Sequence, residues 1–383
     1  MLTKLEIENF KSIHKESIDL SRVNVFIGEN GCGKTNILEA LGMVSALQAN
    51  KLDNDELALK GIRVTKPSIT ISSFLRQRTS SQIGIKIFFE GIAEKFLLTP
   101  EDINDIYSKW KKYISKTFME LAIEISSKNV NSQSTIVGQA IKLHDLGKSS
   151  RRFQFFLFLN DYKIYNLSTK ILRGIGGISH AIPGINGENL DYLINSFSKE
   201  EMEELEHHAS MISWLDKIII DQDDSLKLQG HKLNLSQSKL YFRDKFMQKK
   251  NNVFSAENAN EGILHILFYI ALFISKKTPK LFAIDNIETA LNPGLCRSLI
   301  EILVKLAKKH DKQVLITTHN PAILDGINLH DDEQRIFTVA RNFKGHTKVK
   351  RLQIKPDKEV GGHRLKLSEL WMRNYLGAIP QHY

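Results

Sequence analysis

The sequence predicts an α/β protein: a phosphate-binding core on a mixed sheet, an antiparallel β subdomain beside it, and a mainly helical insertion. Three observations predict this class. A glycine loop of the form G-x-x-x-x-G-K-[ST], Gly28 to Thr35, lies between an apolar β-branched run, Val23 to Ile27, and a helix-forming run, Asn36 to Leu41. Far along the chain, Lys280 to Asp285 and Lys312 to His319 read as buried strands flanking a helical pattern from Pro293 to Lys309. Between them, Ser68 to Phe74, Ile83 to Phe89 and Lys95 to Leu98 alternate as antiparallel strands do.

The loop is the strongest of the three. Its residues are Gly28, Glu29, Asn30, Gly31, Cys32, Gly33, Lys34 and Thr35. Glycines let successive backbone N–H groups turn inward around phosphate oxygens, and the helix that follows points its positive end at the same anion. Lys34 would reach the β- and γ-phosphates and the Thr35 hydroxyl would ligate Mg²⁺. A chance Lys-Thr after a glycine turn is the bland alternative, and the flanking strand and helix argue against it.

In chain order, Leu2 to Phe10 alternates Leu5 and Ile7 with Lys4, Glu6 and Glu8, the pattern of a half-buried strand. The helix from Lys34 is expected to run to about Ala49. From Pro100 to about Ser149 the pattern is helical and then loop-like, with Lys109, Lys111, Lys112 and Lys116 set among Tyr107, Trp110 and Tyr113. Interleaved lysines and aromatics fit a grip on a nucleic-acid strand, and equally an inward aromatic layer under solvated lysines, the commoner arrangement. Phe153 to Leu159 reads as a strand, and Asn189 to about Leu215 as helix. The His207-His208 pair projects to different helix faces and makes a poor joint metal site.

In the last quarter, Asp285 closes an apolar strand, where a carboxylate can hold Mg²⁺ against the β- and γ-phosphates. Pro293 at the head of the intervening helix and lysines at its end agree with helix polarity. Strand, helix and strand together imply a right-handed parallel crossover. The glycine loop and Asp285 are about 250 residues apart, so one shared site needs a sheet that unites them across a large insertion. The expected division is therefore residues 1–98, an insertion at 99–235, and 236–383.

Composition sets the bounds. The chain has 383 residues, 42% apolar and 25% charged, as in soluble globular proteins. Its two cysteines, Cys32 and Cys296, are too few for a disulfide framework, which together with the absence of a signal-peptide pattern predicts a cytoplasmic protein. The longest apolar run, Ile263 to Ile274, would make about 18 Å of helix, short of a roughly 30 Å bilayer core, so no membrane association is expected. The net charge of +10 fits a nucleic-acid partner or a generally basic surface.

These residues together resemble the ABC-class ATPase heads of the SMC, Rad50, RecF and OLD group, and most of all short prokaryotic anti-phage ATPases of Septu-like and retron-linked modules. The resemblance rests on Ile7-Glu8-Asn9-Phe10-Lys11-Ser12 before the glycine loop and on Asp285-Asn286-Ile287-Glu288-Thr289-Ala290-Leu291-Asn292 against the family's Asp-Glu-Pro-Thr-Ser-Ala-Leu-Asp. It covers about residues 1–90 and 240–345, and more weakly the tail, Leu367 to Met372 and Gly377 to Pro380. It implies a switch histidine at His319 and a signature segment at Asn260-Glu261-Gly262. It also implies nucleotide contacts from Asn36 and Asn292, and ATP with Mg²⁺ as cofactors. Partners implied are a homodimer or higher oligomer closed on ATP, nucleic acid, and a separate effector such as a nuclease.

Three departures qualify what the resemblance implies. The family's catalytic Glu is Asn286 here, and an amide cannot accept a proton from water though it can orient one. The signature lacks the Leu-Ser-Gly-Gly form, so Asn260 would donate what the family's Ser donates. The Q-loop glutamine is open among Gln77, Gln82 and Gln154. Nucleotide binding with slow hydrolysis is the expectation. A RecF-like DNA repair ATPase and a non-hydrolysing scaffold are the alternatives; a transporter ATPase would carry a standard signature.

Overall fold

The computed structural model describes residues 1–49, 52–77, 79–113, 151–177, 179–233, 235–353, 359–360 and 363–376. Lys116, most of the expected helical stretch before Ser149, and the tail Gly377 to Pro380 lie outside them. The chain divides into two compact units. The first comprises residues 1–21, 29–163 and 339–351, and the second residues 22–28, 164–338 and 352–383. The expected insertion, 99–235, is thus shared between the two units.

The first unit is built on an antiparallel sheet. Strands β1 (Leu2–Phe10), β2 (Ile13–Asp19), β3 (Val23–Gly28, of the second unit), β4 (Ile83–Phe89), β5 (Ile92–Pro100) and β6 (Trp110–Tyr113) follow in chain order, and the sheet runs β2-β1-β4-β5-β6. Leu2, Leu5, Ile7 and Phe10 of β1 are fully buried, as the sequence alternation requires. Helix α1 (Lys34–Gln48) follows the glycine loop and is buried along nearly its whole length. The only carboxylate on it, Glu39, is fully buried. Its oxygens accept from Lys11 Nζ at 2.6 Å and from Arg63 Nε at 2.8 Å, so the charge is paired rather than stranded.

Two expected strands of this unit are not strands. Ser68 to Phe74 opens as a helical turn, Pro67–Thr70, with Pro67 at its first position, and leaves Ile69 exposed. Phe153 to Leu159 lies in a helix, α2 (Arg151–Asn160). Phe155 and Leu159 are buried while Leu157 is half exposed, a spacing of four rather than two. The α2 end is capped from α1, where Ser45 Oγ donates to the Leu159 carbonyl at 2.7 Å.

The second unit carries the parallel core. With β7 (Ile164–Tyr165), β11 (Leu281–Ile284), β12 (Gln313–Thr318) and β13 (Gln334–Arg341), the order is β13-β3-β12-β11-β7. The β3, β12, β11 and β7 strands are parallel, with Ile27 opposite Thr318, Ile284 opposite Ile316, and Ile284 opposite Tyr165. Every residue of β3, β11 and β12 is buried, as in a sheet covered on both faces. The first unit takes up the chain at Val339 within β13 and includes β14 (Thr347–Arg351).

Among the described residues, three helices of this unit are long. The expected helix from Asn189 to Leu215 is interrupted: Leu190–Asn195 ends, Ser198 and Glu201 form a capping box, α3 (Lys199–Ala209) begins, and the chain reaches strand β8 (Leu215–Ile220). Strand β8 pairs with β9 (Leu240–Asp244) and β9 with β10 (Val253–Ser255) in a small antiparallel sheet. Helix α4 (Glu261–Ile274) is buried from Ile263 onward and is apolar all round, as a core helix should be. Among the described residues no helix is long and apolar enough to cross a membrane. Helix α5 (Pro293–Lys309) is amphipathic, burying Cys296, Leu299, Ile300, Leu303, Leu306 and Ala307.

Candidate nucleotide site

The parallel register decides where the sequence motifs fall. Gly28 ends β3, His319 follows β12 and Asp285 follows β11, so three motif residues leave the same end of one sheet. The carboxyl ends of parallel strands are where open α/β sheets bind ligands. His319 is exposed, and its ring Nδ1 lies 3.2 Å from the Gly28 carbonyl oxygen.

Asp285 is only 7% exposed. Its Oδ1 accepts a short hydrogen bond from the Thr317 hydroxyl, and its backbone N–H donates to the Tyr165 carbonyl at 2.8 Å. Asn286 sits in the left-handed region at φ 54°, which its short polar side chain tolerates better than most. Its N–H donates to Thr317 Oγ1 at 3.0 Å. Glu288 faces the β12 exit: its Oε1 accepts from the His319 N–H at 2.7 Å. Asn292 acts as the N-cap of α5, accepting from the Leu295 N–H at 2.9 Å.

Asn260 likewise caps α4, its side chain accepting from the Ile263 N–H at 3.1 Å. Asn260 and Glu261 are exposed and Gly262 is half-buried. A Cβ on Gly262 would come within 3.4 Å of the Ala290 carbonyl, so the candidate signature segment packs against the turn after Asp285.

The glycine loop continues from Gly28 into the first unit. Glu29, Asn30 and Gly31 are exposed, while Cys32 and Lys34 are buried. Burial pushes the Cys32 thiol up, which leaves it protonated and unreactive. Lys34 Nζ donates to the Glu29 carbonyl at 2.8 Å, curled against its own loop. Gly33 must be glycine twice over: it holds φ 106°, and a Cβ there would stand 2.2 Å from Thr347 Oγ1 and 2.7 Å from Ser12 Oγ. Thr347 Oγ1 in turn donates to the Cys32 carbonyl at 2.8 Å.

A polar chain supports the loop from behind. Asn36 Nδ2 donates to Ser12 Oγ at 2.7 Å, Ser12 and Thr347 share a 2.7 Å hydroxyl contact, and Arg63 Nη2 donates to Asn36 Oδ1 at 3.0 Å. This explains why Lys11 and Ser12 precede the loop: one pairs with Glu39 on α1, the other braces the loop helix. Sequence reasoning missed Thr347 and Arg63, which no motif marks. Glu39 had a signal, a lone charge on an otherwise apolar run. Among the described residues no group of three or more His, Cys, Asp or Glu side chains could hold a metal, and His207 with His208 form only a ring contact at 5.1 Å.

Comparison with known proteins settles the family. Residues 23–325 match the family described as "AAA domain, putative AbiEii toxin, Type IV TA system". The chain belongs to this family. It is also similar to DNA replication and repair protein RecF of Clostridium novyi, 39% identical over 92 residues, covering 24% of this chain and 25% of that protein. RecF of Lactobacillus acidophilus matches at 22% over 191 residues, 45% of this chain and 51% of that one. The chain thus spans from a quarter to about half of these relatives' length.

Among solved structures, the SMC head domain from Thermotoga maritima covers 92% of this chain and 99% of its own at a TM-score of 0.51 and 13% identity. An SMC head bound to the C-winged helix domain of ScpA covers 92% and 98% at 0.55 and 16%. The fold is that of an SMC-type head, an α/β core with both parallel and antiparallel sheets.

Proposed function

We propose that the chain is an ATP-binding, slowly hydrolysing ABC-class head that closes on a second copy of itself and gates a separately encoded effector. The observation that carries the reading is the shared edge: Gly28, His319 and Asp285 leave one end of one parallel sheet, with the His319 ring on the Gly28 carbonyl.

In this reading, Lys34 and the loop N–H groups bind the triphosphate. Gly31, Cys32, Gly33 and Asn30 wrap it, and Asn36 holds the loop helix in place. Lys34 must leave the Glu29 carbonyl to reach phosphate, an exchange of one acceptor for a charged one. Thr35 and Asp285 offer hard oxygen donors of the kind Mg²⁺ prefers, and an ion that keeps waters and phosphate oxygens needs few protein ligands. When bound, Mg²⁺ neutralises charge on the phosphates. His319 senses the γ-phosphate, and Asn286 orients water without removing its proton. Asn260, Glu261 and Gly262 of a second copy, at the positive end of α4, cap the γ-phosphate, and Asn292 lies at the same interface.

The family description, with its type IV TA system, fits a defence setting. A solved SMC head in complex with a winged-helix domain fits a separate protein partner. Sedimentation with and without a non-hydrolysable ATP analogue tests the dimer. The reading expects dimers only with nucleotide, abolished by Gly262→Asp; a monomer at all nucleotide concentrations contradicts it.

A second reading, a RecF-like DNA repair ATPase, is favoured by the stretches shared with RecF proteins. It requires hydrolysis that DNA accelerates, which an ATPase assay with and without DNA separates from the first reading.

A further inference from the structure

Glu288 lies two residues beyond Asn286, on the turn that follows β11. One Glu288 oxygen is engaged by the His319 N–H at 2.7 Å, and the other, Oε2, is buried with no hydrogen-bond partner among the described residues. Burial and then the Glu288 charge push up the Tyr269 hydroxyl of α4 and the Cys296 thiol of α5. Leaving one carboxylate oxygen buried without a donor is unfavourable, so its position must be favoured by other contacts.

The surroundings point to what retains it. The turn from Asn286 to Ala290 begins and ends on non-glycine residues at positive φ, 54° and 65°. Such strain persists only where neighbouring structure over-determines it. Three bonds do so, all reaching the end of β12: Asn286 N to Thr317 Oγ1 at 3.0 Å, Ile287 N to Thr317 O at 3.2 Å, and His319 N to Glu288 Oε1 at 2.7 Å. The last is charge-assisted and the shortest. It fixes the backbone from which the His319 ring reaches Gly28 O.

We infer that Glu288 is a positioning residue that clasps the β12 exit and sets the His319 imidazole against the glycine loop, so that the turns after Asp285 and Thr318 move as one. The significance for nucleotide sensing rests on the proposed role of His319; the clasp itself does not.

The test reads the His319 ring signal by histidine-selective NMR of the full chain without nucleotide, assigned by its loss in His319→Gln. Glu288→Asp withdraws the acceptor and keeps the charge; Glu288→Gln keeps an acceptor and removes the charge. The clasp predicts that Asp and Ala variants shift or broaden the His319 signal while other histidines hold still, and that Gln leaves it in place. An unmoved signal in Glu288→Asp, or a larger change in Gln than in Asp, overturns the inference. Turnover supplies the second arm: losses in Glu288→Asp and His319→Gln should not add in the double variant. If the ring signal depends on Glu288 but His319→Gln leaves turnover unchanged, the sensor role fails and the clasp stands.

Discussion

The Nδ1 atom of His319 lies 3.2 Å from the carbonyl oxygen of Gly28, joining the end of β12 to the first residue of the glycine loop. The ring nitrogen donates to the carbonyl in this pair. If His319 senses phosphate, His319→Ala should lower turnover by about 10²- to 10³-fold, the range for one lost electrostatic contact. Nucleotide affinity should change less than tenfold. Parallel kcat and Kd measurements check this.

We propose that Asn286 stands where the ATPases this chain resembles carry a catalytic carboxylate. Asn286→Glu should raise turnover by about 10²-fold, the usual contribution of a positioned base. A steady-state phosphate-release assay decides it, and unchanged turnover would mean that another group positions the water.

Gly33→Ala meets both a forbidden backbone conformation and the Thr347 hydroxyl. It should destabilise the fold by about 2 kcal/mol or more and abolish nucleotide binding. Thr347→Ala in the same chain relieves the contact but not the φ of 106°, so chemical denaturation should show only partial recovery.

His265 is fully buried on α4, and burial pushes its pKa down to about 4. The unfolded chain, near 6.5, takes up the proton first, so stability is intact above about pH 6.5 and falls as pH drops toward 4. The loss is about 3 kcal/mol at most. Urea midpoints between pH 4 and 7 should fall less steeply in His265→Leu than in the wild type.

Glu39 is buried between Lys11 and Arg63. Desolvation raises its pKa, but hydrogen bonds from Arg63 and Lys11 outweigh that and hold it below the ordinary carboxylate value. Its stabilisation is present above the unfolded pKa and lost as pH falls through the folded one. Glu39→Ala should cost about 3–5 kcal/mol, because it leaves a buried cation unpaired. Thermal unfolding at pH 7 measures it.

Much of the core was legible because its signals are local. The loop Gly28 to Thr35, the helix from Lys34 and the strands ending at Asp285 and His319 each declare themselves within a dozen residues. The apolar run of α4 was legible as a buried helix for the same reason. Phe153 to Leu159 was misread because a short aromatic run fits a strand and a helix alike; the buried Phe155 and Leu159 around an exposed Leu157 appear only in the fold. The supports of the site were the least visible. Thr347 meets Ser12 and Cys32 across more than 300 positions, and Glu288 reaches His319 from 31 away, and neither pairing leaves a pattern in the chain.

The central claim is that Lys34 and Asp285 act on one Mg²⁺–ATP. Calorimetric titration of ATP with and without Mg²⁺, into the wild type, Lys34→Ala, Asp285→Asn and the double variant, tests it most directly. The account predicts Mg²⁺-dependent binding in the wild type, losses of about tenfold or more in each single variant, and a double variant less impaired than the product of the two. No binding by the wild type, or losses that multiply independently with Mg²⁺ dependence intact in Asp285→Asn, would contradict it.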